Sequence, residues 1–97
     1  MTRFDQAKLL MKARKLQKEL QKEIITIEKG DGAVRVEISG EQKIKKIRID
    51  PQVVDLDDIS QLEMWLEEAV KEAISRSQQL AAEKMKPMMG ALSNLGL

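Results

Sequence analysis

Cysteine and histidine are absent from this 97-residue sequence, and phenylalanine and tryptophan occur once each, as Phe4 and Trp65. Without cysteine there is no disulfide and no thiolate metal site, so a reducing compartment such as the cytosol is the natural setting. Without histidine the chain lacks the commonest general base, the commonest metal ligand and the usual activator of a serine nucleophile. Enzymatic chemistry is therefore not expected, and no metal, other cofactor or small-molecule substrate is implied. The remaining candidate for chemistry is the acidic cluster Asp55, Asp57 and Asp58, a group without the glycine and glutamate of a calcium loop. It reads as a turn and a helix start, where short acidic side chains cap amides and meet the helix dipole. Single-strand binding by base stacking needs several exposed rings, which two aromatics do not supply. Apolar runs long enough for a signal peptide or a membrane span are missing too, and Met1-Thr2-Arg3-Phe4-Asp5 brings charge at once. The expectation is a soluble cytoplasmic chain with no membrane partner.

What is present is charge, unevenly placed. The net value is only +1. Yet Met1 to Ile24 holds seven Lys/Arg against three Asp/Glu, and Pro51 to Leu97 holds four against eight. One end is basic and the other acidic. The basic segment, from about Arg3 to Glu23, is rich in good helix formers and places Leu9, Ala13, Leu16, Leu20 and Ile24 on one helical face. Opposite that stripe lie Lys8, Lys12, Lys15, Lys18 and Lys22.

From Ile24 the pattern changes. Ile24-Ile25-Thr26-Ile27 is β-branched throughout and favours a strand. Gly30-Asp31-Gly32 supplies a tight turn, and Val34, Val36 and Ile38 alternate with Arg35, Glu37 and Ser39 as in a half-buried antiparallel strand. After Gly40-Glu41 a third strand runs from Gln42 to Asp50. Its apolar set changes parity between Ile44 and Ile47, which predicts a β-bulge near Lys45-Lys46. Pro51 closes the sheet. A second helix is predicted from Ser60, with Ser60, Asp57 or Asp58 as its cap, to Lys86, with Pro87 and Gly90 marking its end. The reading is a single α+β domain over 1–90, αβββα with a three-stranded antiparallel sheet between two long helices, and a flexible tail over 91–97.

A second helix of that length reaches roughly 40 Å, whereas strands of about seven residues run about 23 Å. The surplus apolar stripe then needs a cover, and a second copy is the simplest one. Ala69, Ala73 and Ser77 are small residues at four-residue spacing, where a partner helix approaches closely; packing on their own sheet or first helix is equally open. With Trp65 and Leu66 they form the candidate dimer interface.

In this order of elements the local words are familiar. They are Leu10-Met11-Lys12-Ala13-Arg14-Lys15-Leu16-Gln17, Gly32-Ala33-Val34-Arg35-Val36-Glu37-Ile38-Ser39-Gly40, Ile47-Arg48-Ile49-Asp50-Pro51, Ala69-Val70-Lys71-Glu72-Ala73 and Glu83-Lys84-Met85. Through them the chain resembles the YbaB/EbfC family of nucleoid-associated DNA-binding proteins. It departs at Lys71-Glu72, where members often carry Asn-Asp, and at Met89 to Leu97, where many carry a Gly/Pro-rich tail. The resemblance implies a homodimer whose helices project like tweezer arms, and binding to double-stranded DNA with little sequence preference.

Lysines suit that task, because affinity for a duplex comes chiefly from counterion release as Lys and Arg approach phosphates. The candidate DNA-binding residues are Arg3, Lys8, Lys12, Arg14, Lys15, Lys18 and Lys22. A stripe of lysines lacks the bidentate fork that reads guanine, so the contacts position rather than specify. A plain solvated face, with pairs such as Lys15 and Glu19, is the competing account. Lys43, Lys45, Lys46 and Arg48 form a second cluster, read first as edge-strand protection. Two other functions compete with DNA binding: an interaction module gripping a protein through Met85, Met88 and Met89, and a membrane-surface helix.

Overall fold

The computed structural model describes residues 3–94, with side chains as far as Gly90. The elements are α1 (Arg3–Lys22), β1 (Ile24–Lys29), β2 (Val34–Ser39), β3 (Ile44–Ile49) and α2 (Ile59–Asn94). This is the expected αβββα order, with an antiparallel sheet in the order β1-β2-β3.

Local chemistry explains the sheet. Gly30, Asp31 and Gly32 all hold positive φ, and the Ala33 amide donates to the Gly30 carbonyl at 3.1 Å, which reverses the chain between β1 and β2. Val34, Val36 and Ile38 are completely buried, whereas Arg35 between them is exposed. Across the second ladder Glu37 pairs with Lys46 but Ile38 pairs with Ile44. Lys45 is the extra residue of a bulge, which returns Ile44 to the face that carries Ile47.

Helix α2 crosses the inner face of β1 and β2. Ala69, Ala73 and Ser77 have no exposed surface and form the floor of contact with Ile27, Val34, Val36 and Ile38. The Ser77 hydroxyl donates to the Ser39 carbonyl at 2.7 Å, so the one polar member of the row is satisfied. Trp65 and Leu66 are half-buried against the same core. Of the two packings that the spacing left open, the small residues serve approach of α2 to its own sheet, while Trp65 and Leu66 keep exposed surface.

The surplus length of α2 is also covered from within. Gly40 anchors the end of α1, its amide donating to the carbonyls of Leu20 at 2.9 Å and Glu23 at 3.0 Å. From there α1 runs back along the C-terminal half of α2. Leu9, Ala13, Leu16 and Leu20 are half-buried, Leu16 shares a hollow with Lys84, Pro87 and Met88, and Lys84 Nζ lies 3.6 Å from the Glu23 carboxylate. The two antiparallel helices make an arm. The molecule measures 64 × 19 × 14 Å. Its radius of gyration is 18.6 Å, against about 12–13 Å for a compact chain of this length.

The start of α2 uses one of the expected caps, and its end lies beyond the expected one. Asp58 is the cap, its Oδ1 accepting from the Gln61 amide at 3.3 Å and the Ser60 hydroxyl at 2.9 Å, so the helix begins at Ile59. Asp55 Oδ1 accepts from the Asp57 amide at 2.9 Å, a local turn, in keeping with the structural reading of the acidic group. At the other end the helix passes through Pro87 and Gly90 to Asn94. Proline removes one backbone hydrogen bond, and α1 packed alongside Pro87 and Met88 supports the chain there. Residues 91–94 of the expected tail are thus helical; 95–97 lie outside the described residues.

Candidate nucleic-acid interface

Because Leu9, Ala13, Leu16 and Leu20 turn toward α2, helical geometry turns the opposite face of α1 to solvent. Arg3, Lys8, Lys12, Arg14, Lys15, Lys18 and Lys22 are all exposed. From Lys8 to Lys22 the stripe spans roughly 21 Å at 1.5 Å per residue, and Arg3 and Arg14 lie to one side of it.

Among the described residues, none of these seven cations has a carboxylate within 4.0 Å. Lys15 and Glu19 do not pair, and Glu23 is drawn to Lys84 instead. Several cations elsewhere are engaged. Arg35 makes two hydrogen bonds to Glu28 at 2.6 and 2.9 Å, and Lys29 reaches Glu72 at 3.2 Å. On α2 the i,i+4 pairs Glu67–Lys71 and Glu72–Arg76 stand at 2.7 and 3.3 Å. The hydrogen bond from Lys71 lowers the Glu67 pKa and raises that of Lys71, and hydrogen bonding to Lys29 lowers that of Glu72. Among the described residues, cations without a carboxylate partner thus form a row along α1, and Lys45, Lys46 and Arg48 on β3 and Lys86 on α2 lack one as well.

The second basic cluster lies along edge strand β3. Lys46 and Arg48 stand opposite Glu37 and Arg35, on the sheet face away from α2, and Lys43 pairs with Glu41 at 3.5 Å.

Two features escaped the sequence reading. On α1, Phe4 and Met11 are 76% and 71% exposed inside the lysine stripe. Their angular position opposite Leu9 and Leu16 was available as a signal. On β3, Ile44, Ile47 and Ile49 pair with the completely buried Ile38, Val36 and Val34, yet remain 44–46% exposed. Cross-strand partners share a face, so the core layer continues past the edge of α2 and lies open there. Alternation within a strand does not report how much of a sheet its helix covers.

By architecture this is an αβββα protein of the α+β class. A crystal structure of an uncharacterized protein from Helicobacter pylori has a similar fold, with a TM-score of 0.77 over 86% of this chain and 87% of that one at 18% identity. The chain belongs to the YbaB/EbfC DNA-binding family, whose model matches residues 3–92. It is 35% identical to a nucleoid-associated protein of Chloroflexus aurantiacus over 95% of this chain and 99% of the relative. Nucleoid-associated proteins of Ruminiclostridium cellulolyticum and Rhodococcus opacus match at 34% and 33%, covering 90% and 96% of this chain and 82% and 88% of theirs. The family is a DNA-binding one, not an enzyme family. Among the described residues no helix is long and apolar enough to cross a membrane.

Proposed function

We propose that this protein is a nucleoid-associated protein that binds double-stranded DNA as a homodimer, through phosphate contacts made by α1, with little sequence preference. The observation that carries the reading is the arm's row of cations without carboxylate partners, on a chain of a DNA-binding family. Counterion release rewards such an array, and a straight helix offers it at a spacing commensurate with a duplex backbone. Lysine gives charge without the planar fork that distinguishes bases, hence the weak specificity. The location that follows is the nucleoid, in the cytoplasm.

The dimer is assigned to the open side of the core. Ile44, Ile47 and Ile49 on β3, with exposed Val53, Leu56 and Ile59 beyond them, form an apolar surface that a second copy would bury. The arms, which project from the sheet, remain free in such a pairing.

The test is binding to a panel of unrelated 30-base-pair duplexes and to the corresponding single strands, with the mass of the free protein measured by sedimentation. The reading expects a dimer, duplex affinities within a few-fold of one another, and weaker single-strand binding. If no duplex binds at low salt, the arms are better understood as a grip for another protein, with exposed Met85 and Met89 at the contact.

A further inference from the structure

Phe4 and Met11 are misplaced for a helix that packs by its leucine stripe. At 100° per residue they fall near the centre of the opposite face, between Lys12 on one edge and Lys18 on the other. Phe4 lies over a shallow hollow shared with Arg3, Ala7, Lys8 and Met11, and Met11 borders a second one with Lys8, Lys12 and Lys15. Single exposed apolar residues are ordinary. Here two large ones stand two turns apart on one line, inside the cationic stripe of a projecting arm.

An occupant for this face must offer negative charge flanking an apolar surface. An anionic membrane does so, but the broad apolar stripe of α1 is already engaged with α2, which leaves too little apolar area to hold an interfacial helix. A duplex meets the requirement more closely. Its phosphates flank sugar edges and base pairs, and pyrimidine–purine steps unstack readily to admit an apolar side chain.

We propose that Phe4 is an apolar wedge that enters a flexible base step while Lys8, Lys12 and Lys15 hold the adjacent phosphates. Met11, roughly 10 Å further along the helix, packs on the groove edge about three base pairs away. The arm would then bend or kink DNA rather than merely coat it, and sequence would be sensed through deformability at TA and CA steps. This inference rests on the proposed duplex binding.

The experiment uses a 30-base-pair duplex with a central TA step, 2-aminopurine at that step and a fluorophore pair at its ends. Native protein is expected to raise the 2-aminopurine signal, as unstacking requires, and to bring the ends closer. Phe4→Ala, whose folding is checked by circular dichroism, should lose both signals and bind roughly tenfold more weakly. Its salt dependence should match that of the native protein, because its cations are intact. Phe4→Trp should keep both signals. Native binding to a straight, stacked duplex would overturn the wedge while leaving the phosphate contacts standing, as would an unchanged Phe4→Ala. Loss of binding to phosphatidylserine vesicles, with duplex binding untouched, would assign the face to membranes. Native protein that binds no duplex would remove the wedge together with the DNA reading.

Discussion

Gly30 meets two demands at once. Its φ is +64°, and a Cβ there would stand 2.6 Å from the Trp65 indole. The left-handed conformation costs an L-residue about 1–2 kcal/mol, and forced overpacking typically costs about 1–3 kcal/mol. Gly30→Ala is therefore expected to destabilise by about 2–5 kcal/mol, read from urea unfolding. Glu72 gives a pH-dependent prediction. Hydrogen bonding to Lys29 lowers its pKa, so the native state holds fewer protons than the unfolded chain as this group titrates. Its stabilisation is present above the ordinary carboxylate pKa and is lost as pH falls through the lowered value. Glu72→Gln should melt slightly below native protein at pH 7 and level with it near pH 2, a difference small because the pair stays open to water and is screened by it. Trp65 was legible in sequence as a packed residue, at the core or a dimer seam. Its partner Gly30 was not, since nothing local links a turn glycine to a tryptophan two strands and a loop further along the chain.

At the scale of elements, strand alternation, the bulge at Lys45 and the first helix's leucine stripe were all legible, because each is a local periodicity enforced by burial on one face. The end of α2 was not. Pro87 and Gly90 carry local stop signals, yet the support that overrides them comes from α1, more than sixty residues earlier in the chain. Gly90 lies within α2 without positive φ, and a Cβ there would meet nothing within 4 Å. Gly90→Ala is expected to stabilise the helix by about 0.5–1 kcal/mol, seen as a rise in melting temperature and ellipticity. A helix that ended at Pro87 would show no change. The small-residue row was ambiguous for a different reason. Close approach of a helix to a sheet and to another helix call for the same residues at the same spacing.

On the scale of the whole molecule, α2 outruns the sheet and α1 covers the excess, so the protomer supplies its own cover where a second copy was expected. What it leaves open is the inner face of β3. If that face is the dimer seam, Ile47→Glu places a charge in it and should give a folded monomer by sedimentation, with weaker duplex binding because only one arm reaches each DNA molecule. A native protein that is already monomeric would refute the seam. The basic stripe was legible residue by residue, and the structure adds that among the described residues its charges lack carboxylate partners.

The central claim is that these charges meet phosphates. It is tested most directly by the salt dependence of duplex affinity, for native protein and for a variant with Lys8, Lys12, Lys15 and Lys18 changed to Glu, both first shown to be folded. The account predicts that the logarithm of native affinity falls steeply and linearly with the logarithm of salt concentration, by nearly one unit of slope per neutralised phosphate. The variant should show no measurable binding. Equal affinity and equal slope in the two proteins would contradict it and move the DNA contact off α1.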